Sequence, residues 1–238
     1  TADFAGRAKE MYMPKDSEGN FLDDPDDYVF LFRNTGGEAT FLAMQVAAEV
    51  TGKPERIGYQ GSYHGRFKYV SVDDFEHVVR FPDKLTGISE DESVSELKKV
   101  LSKYGDKIGI LIMEGAQGGS CYLPGDLKDG TNFYDAVREL CDEYGIVFVN
   151  DLVQVNGITG SWNPVEEVGA KKGPHISAFG KGYSEAYPLS GVLLPKEFAE
   201  KLQVGGWTST HSMHWQGPTA GMGIFLVDDY LKENFGKD

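Results

Sequence analysis

Short apolar runs alternate with longer amphipathic stretches along the chain, and this alternation predicts strands and helices taking turns in an α/β sheet. The runs Tyr28-Val-Phe-Leu-Phe32, Ile108-Gly-Ile-Leu-Ile-Met113, Ile146-Val-Phe-Val149 and His175-Ile-Ser-Ala-Phe179 read as buried strands. A helix is expected from about Glu38 to Val50, where Gly52 stops it. Another runs from Asn132 to Tyr144, because Phe133, Ala136, Val137, Leu140 and Cys141 recur at helical spacing before Gly145. Gly87 to Ser102 reads as an acidic loop entering a surface helix, and Pro14 to Asp27, rich in Asp, Gly and Pro, as a solvated loop. There is no internal repeat, low-complexity tract or strong linker, so residues 1–238 are expected to form one domain.

Bulk properties narrow the class. With 40% hydrophobic and 25% charged residues the chain has the composition of a folded domain. Its formal net charge of -14 argues against nucleic acid, which needs a basic surface to displace counterions. No apolar run approaches the length that crosses a bilayer, and no leader pattern opens the sequence. Cys121 and Cys141, outside any CxxC or ligand spacing, read as reduced thiols of a cytoplasmic protein without membrane or nucleic-acid partners. Because the chain begins at Thr1 rather than methionine, a fragment or processed piece is one expectation.

Chemistry is sought at the carboxyl ends of the strands, where an open α/β sheet gathers loops and helix N-termini around a crevice. Thr35, Gly36 and Gly37 open a helix after the first strand, so free N–H groups and the positive end of the dipole suit a phosphate; the alternative, which such glycine-rich turns more often are, is a plain capped turn. Asp151 follows a buried run, so its carboxylate needs a cationic partner, which a protonated pyridine nitrogen would supply; the alternative is an Asp capping a turn. Lys181, between Gly180 and Gly182, would escape the cost of burying an ammonium by forming a Schiff base with a carbonyl cofactor; otherwise it is a surface lysine. Tyr63 and His64 sit in a glycine-flanked loop where a ring can stack on a planar group or simply pack. Arg66 reads as a carboxylate ligand or an exposed arginine, and His211-Ser-Met-His214 lacks a third ligand for a metal.

Taken together, these motifs resemble the class III, or ω-type, aminotransferases of pyridoxal-phosphate fold type I. Asn34-Thr-Gly-Gly-Glu-Ala39 is similar to that family's phosphate loop and Gly61-Ser-Tyr-His-Gly65 to its aromatic loop. Glu114 stands where the family has Glu-Pro, Asp151-Leu-Val-Gln154 where it has Asp-Glu-Val-Gln, and Phe179-Gly-Lys-Gly182 where it carries the Schiff-base lysine.

The resemblance implies an α/β/α sandwich around a mostly parallel mixed sheet, the family's large domain. It implies the cofactor pyridoxal 5'-phosphate and transfer of an amino group from a small-molecule amine or amino acid to a keto or aldehyde acceptor. Lys181 would hold the cofactor and shuttle the proton, Asp151 would hold the pyridinium, and Gln154 would approach the ring hydroxyl. Tyr63 would stack on the ring, and the backbone of Gly36 and Gly37 would take the phosphate. Thr208-Ser-Thr210 would complete the phosphate site of a neighbouring subunit, which makes a homodimer with shared active sites.

The departures are Leu152 in place of the usual glutamate and Gly37 in place of a threonine. Family members are also longer, so the small C-terminal domain is expected to be missing, in either a fragment or a compact member. Rival readings are an aminomutase of the glutamate-1-semialdehyde type, a cofactor-binding domain without catalysis, and a generic α/β domain with accidental motifs.

Overall fold

The computed structural model describes residues 2–16, 18–157, 161–183, 187–202 and 216–236. In chain order its elements are α1 (Ala2–Tyr12), β1 (Tyr28–Arg33), α2 (Gly36–Thr51), β2 (Glu55–Tyr59), β3 (His77–Val79), α3 (Glu90–Tyr104), β4 (Ile108–Glu114), α4 (Phe133–Tyr144), β5 (Val147–Asp151), α5 (Pro164–Glu167), β6 (Ile176–Phe179), β7 (Ser190–Pro195), α6 (Lys196–Glu200) and α7 (Gln216–Phe235).

The strands form one mixed sheet in the order β1-β7-β6-β5-β4-β2-β3. Strands β2 to β6 pair in parallel, whereas β7 is antiparallel to both β6 and β1. Two reversals cancel, so β1 runs in the direction of β6. The carboxyl ends of β1, β4, β5 and β6 therefore open on the same edge, as α/β topology requires of a ligand crevice.

Side-chain alternation splits the core into two layers around this sheet. Ile110, Ile112, Val147, Val149, Ile176 and Ala178 face α2 and its Leu42, Met44 and Val46. Leu111, Met113 and Phe148 point the other way, into the residues of α3 and α4. On that second face, beyond β5, Phe30, Phe32 and Phe179 pack with Phe4 of α1 and Phe225 of α7. All seven residues of β4 are buried, which accounts for the unbroken apolar run that marks it in the sequence.

Helix boundaries follow their caps. Thr35 and Glu38 form a reciprocal capping box at the start of α2, and Gly52 closes it with a left-handed φ of 66°. Ser89 and Glu92 do the same for α3, and Asn132 caps α4. Two expectations need correction. Tyr28–Phe32 is a half-buried edge strand extending to Arg33 rather than an inner one, because β7 covers it on one side alone. Asn150, expected just past the third strand, lies inside β5, whereas Asp151 stands at the end of the strand as expected.

Candidate active site

Four segments that are distant in sequence meet at the carboxyl edge of the sheet. Thr35, Gly36, Gly37, Tyr63, His64, Gly65, Arg66, Phe67, Asp151, Val153, Gln154 and Lys181 line one cleft of about 270 Å³, near the lower end for small-molecule sites.

Its floor is set by close backbone approach. A Cβ on Gly36 would stand 2.3 Å from Val153 Cγ1, and one on Gly180 would stand 3.1 Å from Gly36 Cα. The loop carrying Lys181 is thereby pressed against the first turn of α2. Ser190 Oγ donates to Thr35 O at 2.7 Å, so β7 also fixes the cap residue. Asn156, with its amide turned to face two carbonyls, donates to Leu152 O at 2.7 Å and Gly180 O at 3.2 Å. In the first turn the Glu38 N–H is taken by Thr35 Oγ1, and helix geometry gives the N–H groups of Gly36 and Gly37 no intrahelical acceptor.

Asp151 is 1% exposed. Its Oδ1 accepts the Val153 N–H at 2.9 Å, and its Oδ2 lies 2.7 Å from His64 Nδ1. The buried carboxylate thus already has an imidazole and a backbone N–H against it before any ligand is considered. His64 itself is 2% exposed, and its carbonyl accepts Thr40 Oγ1–H at 2.6 Å, which ties the aromatic loop to α2. The sequence placed His64 beside the site, but only the fold shows it bridging to the carboxylate from 87 positions away.

Glu114, expected among the cofactor contacts, stands behind the cleft rather than in its lining. It is the register neighbour of Asp151 and accepts the N–H groups of Tyr63 at 3.0 Å and Gly118 at 3.3 Å. Burial, with the Asp151 charge beside it, pushes its carboxyl above the usual range. It shapes the aromatic loop from below.

Lys181 was expected at a buried strand end where a charge is costly, yet it is exposed, on a short 3-10 turn over Lys181–Tyr183. Its φ of 52° is a left-handed conformation uncommon for a residue with a Cβ. Tyr63 stands 46% exposed at the rim, and Arg66 and Phe67 are exposed beside it. Phe67 was missed; its ring carbon lies 3.0 Å from where a Cβ on Gly37 would be, in the space a larger residue at 37 would need. Gly65 and Val153 were also missed, though each adjoins a residue already singled out. Thr208, Thr210, His211 and His214 lie outside the described residues. Among the described residues no cluster of potential ligands could hold a metal ion.

Against known proteins, residues 20–221 match the family model described as Aminotransferase class-III. The chain is 29% identical over 200 residues to 4-aminobutyrate aminotransferase GabT of Escherichia coli, covering 76% of this chain and 46% of that protein. It is 30% identical over 186 residues to acetylornithine aminotransferase of Archaeoglobus fulgidus, covering 76% and 47%. The chain thus spans about half the length of the curated relatives it matches. Among solved structures, an (S)-enantioselective omega-transaminase from Thermomicrobium roseum superposes with a TM-score of 0.75 at 24% identity, covering 99% of this chain and 56% of that one. That likeness speaks for the fold.

Proposed function

Because this chain belongs to the class-III aminotransferase family, we propose that its cleft binds pyridoxal 5'-phosphate, the family's cofactor, and uses it to move an amino group from an amine or amino acid to a keto or aldehyde acceptor. The observation that carries the proposal is the convergence of Gly36, Gly37, Tyr63, Asp151, Gln154 and Lys181 on one cleft. The fit is chemical at each end: helix N–H groups for a phosphate, a buried carboxylate for a ring nitrogen, an aromatic face for the ring, and a primary amine for an aldehyde.

Bound there, the cofactor supplies an aldehyde that captures amines and a ring that takes up electron density. The protein's residues do the rest. The first turn of α2 holds the phosphate through Gly36 and Gly37. Asp151, kept in place by His64 and the Val153 N–H, holds a proton on the ring nitrogen. At about 4 Å and an effective dielectric near 20 such a pair is worth on the order of 4 kcal/mol, or roughly three pKa units. Gln154 orients the side of the ring bearing the hydroxyl, and Tyr63 covers one face. Lys181 anchors the aldehyde and, when released from it, moves the proton that amino transfer requires.

The proposal extends to the whole chain as a cofactor-binding large domain acting in a homodimer whose partner completes the phosphate site. Family membership supports that assembly. A cytoplasmic setting is part of it too, in keeping with two cysteines that form no disulfide.

Borohydride reduction followed by peptide mass spectrometry is the direct test, and it should find the reduced cofactor on Lys181. Modification elsewhere, or none at saturating cofactor, would overturn the proposal. Product analysis with no keto acid added separates an aminomutase, and a visible cofactor band unchanged by amine donors separates a domain without catalysis.

A further inference from the structure

Gly37 is the second residue of α2, and its side-chain space is taken from outside the helix. A Cβ there would lie 3.0 Å from Phe67 Cε2 and 3.3 Å from Phe67 Cδ2, tighter than an ordinary van der Waals contact. The ring belongs to a segment whose backbone is fixed. Thr40 Oγ1 donates to His64 O at 2.6 Å, and a Cβ on Gly65 would stand 3.2 Å from Gly37 Cα, so the loop rests directly on the first turn of α2. Beyond the ring, the Phe67 carbonyl accepts the N–H groups of Val70 at 3.0 Å and Ser71 at 3.1 Å. Arg56 Nη1 donates to Tyr69 O at 2.6 Å and ties the same segment to β2. Phe67 nevertheless stays 54% exposed and lines the cleft. A well-anchored backbone thus holds a half-open aromatic ring against the helix opening.

The first turn of α2 has no cation: its residues are Gly36, Gly37 and Glu38, and the one charge among them is negative. An anion held there depends on backbone N–H groups and the helix dipole, which weaken as water screens them. We propose that Phe67 is a positioning residue for the phosphate of the cofactor: its ring fills the place of the side chain that position 37 lacks and keeps water off the N–H groups of Gly36 and Gly37. The ring makes no hydrogen bond to the anion. It acts by lowering the dielectric around the bonds that the turn makes. Residues 37 and 67 are accordingly one unit, a glycine under a phenyl ring, in which a hydroxyl side chain at 37 fits only once the ring is removed. This role presupposes the cleft as a pyridoxal 5'-phosphate site and says which end of the ligand Phe67 serves.

The test compares two ligands of the full, cofactor-free chain, pyridoxal 5'-phosphate and pyridoxal, which differ only in the phosphate. Dissociation constants are read from the absorbance change on capture of the aldehyde. Phe67→Ala should weaken pyridoxal 5'-phosphate about tenfold and leave pyridoxal within about twofold, whereas Phe67→Leu, which keeps an apolar cover, should hold both within about threefold. Gly37→Thr should also weaken the phosphorylated ligand, and adding Phe67→Ala to it should recover most of that loss. Equal loss of both ligands in Phe67→Ala, no loss of either, or a double variant whose losses simply add would overturn the inference. Wild-type protein that captures neither ligand would overturn the cofactor reading and this role with it, a result distinct from wild-type binding that Phe67→Ala leaves unchanged.

Discussion

At Asp151 two requirements meet: a carboxylate buried in a parallel strand must be paired, and the proposed function asks it to keep a ring nitrogen charged. Both of its oxygens are already fixed by protein groups, so the variant Asp151→Asn should fold and still take up cofactor weakly. Its amino transfer rate should fall by on the order of 10²–10³, from the roughly three pKa units above. Turnover equal to wild type in a stopped-flow assay with an amine donor would end that role. Gly36 offers a second residue-scale test. Gly36→Ala places a methyl against Val153 and should destabilise by about 1–3 kcal/mol despite the better helix propensity of alanine. Adding Val153→Ala should recover much of the loss in denaturant unfolding.

What could be read from the residues follows the same physics. Asp151, Lys181 and the Thr35–Gly37 turn were legible because each adjoins a clear apolar run, so a sheet edge could be assigned to them before any fold was known. The back position of Glu114, the bridge from His64 and the packing of Phe67 were not, since each depends on a contact between segments that no local pattern encodes.

At the scale of elements, legibility tracked burial. The runs of β4 to β6 and the periodic face of α4 announce themselves. Strand β2 does not, because its buried Arg56 is neutralised by Glu76 at 2.7 Å and sandwiched by Tyr69 and Phe75, all tertiary partners. Strand β3 is only three residues long, and β7 begins and ends in Ser, Gly and Pro, which read as a turn. Helices α1 and α7 carry internal glycines that lower the expectation of helix, overridden by packing around Phe4 and Phe225. Caps permit a clean comparison: Ser89→Ala should cost about 1 kcal/mol in thermal unfolding with no change in cofactor affinity. Thr35→Ala should cost as much and, on the proposed role of this turn in holding the phosphate, weaken cofactor binding too.

The end of α5 has its own pH signature. Burial raises the Glu166 carboxyl to about 7, with the charge and N–H of Lys15 pulling part of the way back. A raised carboxyl favours the protonated folded state, so this contribution is full below the ordinary carboxylate range and is lost as pH rises through about 7. Thermal melts should therefore show a decline from pH 5 to pH 8 that is shallower in Glu166→Gln; parallel curves would remove Glu166 as its source.

For the molecule as a whole, ligand linkage gives the broadest check. Pyridoxal 5'-phosphate at a hundred times its dissociation constant should stabilise the chain by about 2.7 kcal/mol. In Lys181→Ala the same concentration should raise the melting temperature less, since only the non-covalent contacts remain. A shift identical in both would mean that the lysine takes no part in holding the ligand. The rest of the sheet and its helices act indirectly, by setting the edge on which the contributing residues stand.

The crowding beneath the cleft also marks where the protein can be re-engineered. With Gly36 and Gly180 in near contact and Val153 wedged beside them, the floor has no space for new side chains, and saturation libraries there would return mostly unfolded protein. Tyr63, Arg66 and Phe67 stand at the solvent side of a loop that Glu114 holds at the Tyr63 N–H and Thr40 at the His64 carbonyl. Diversity introduced at those three rim positions is where altered substrate preference should be found.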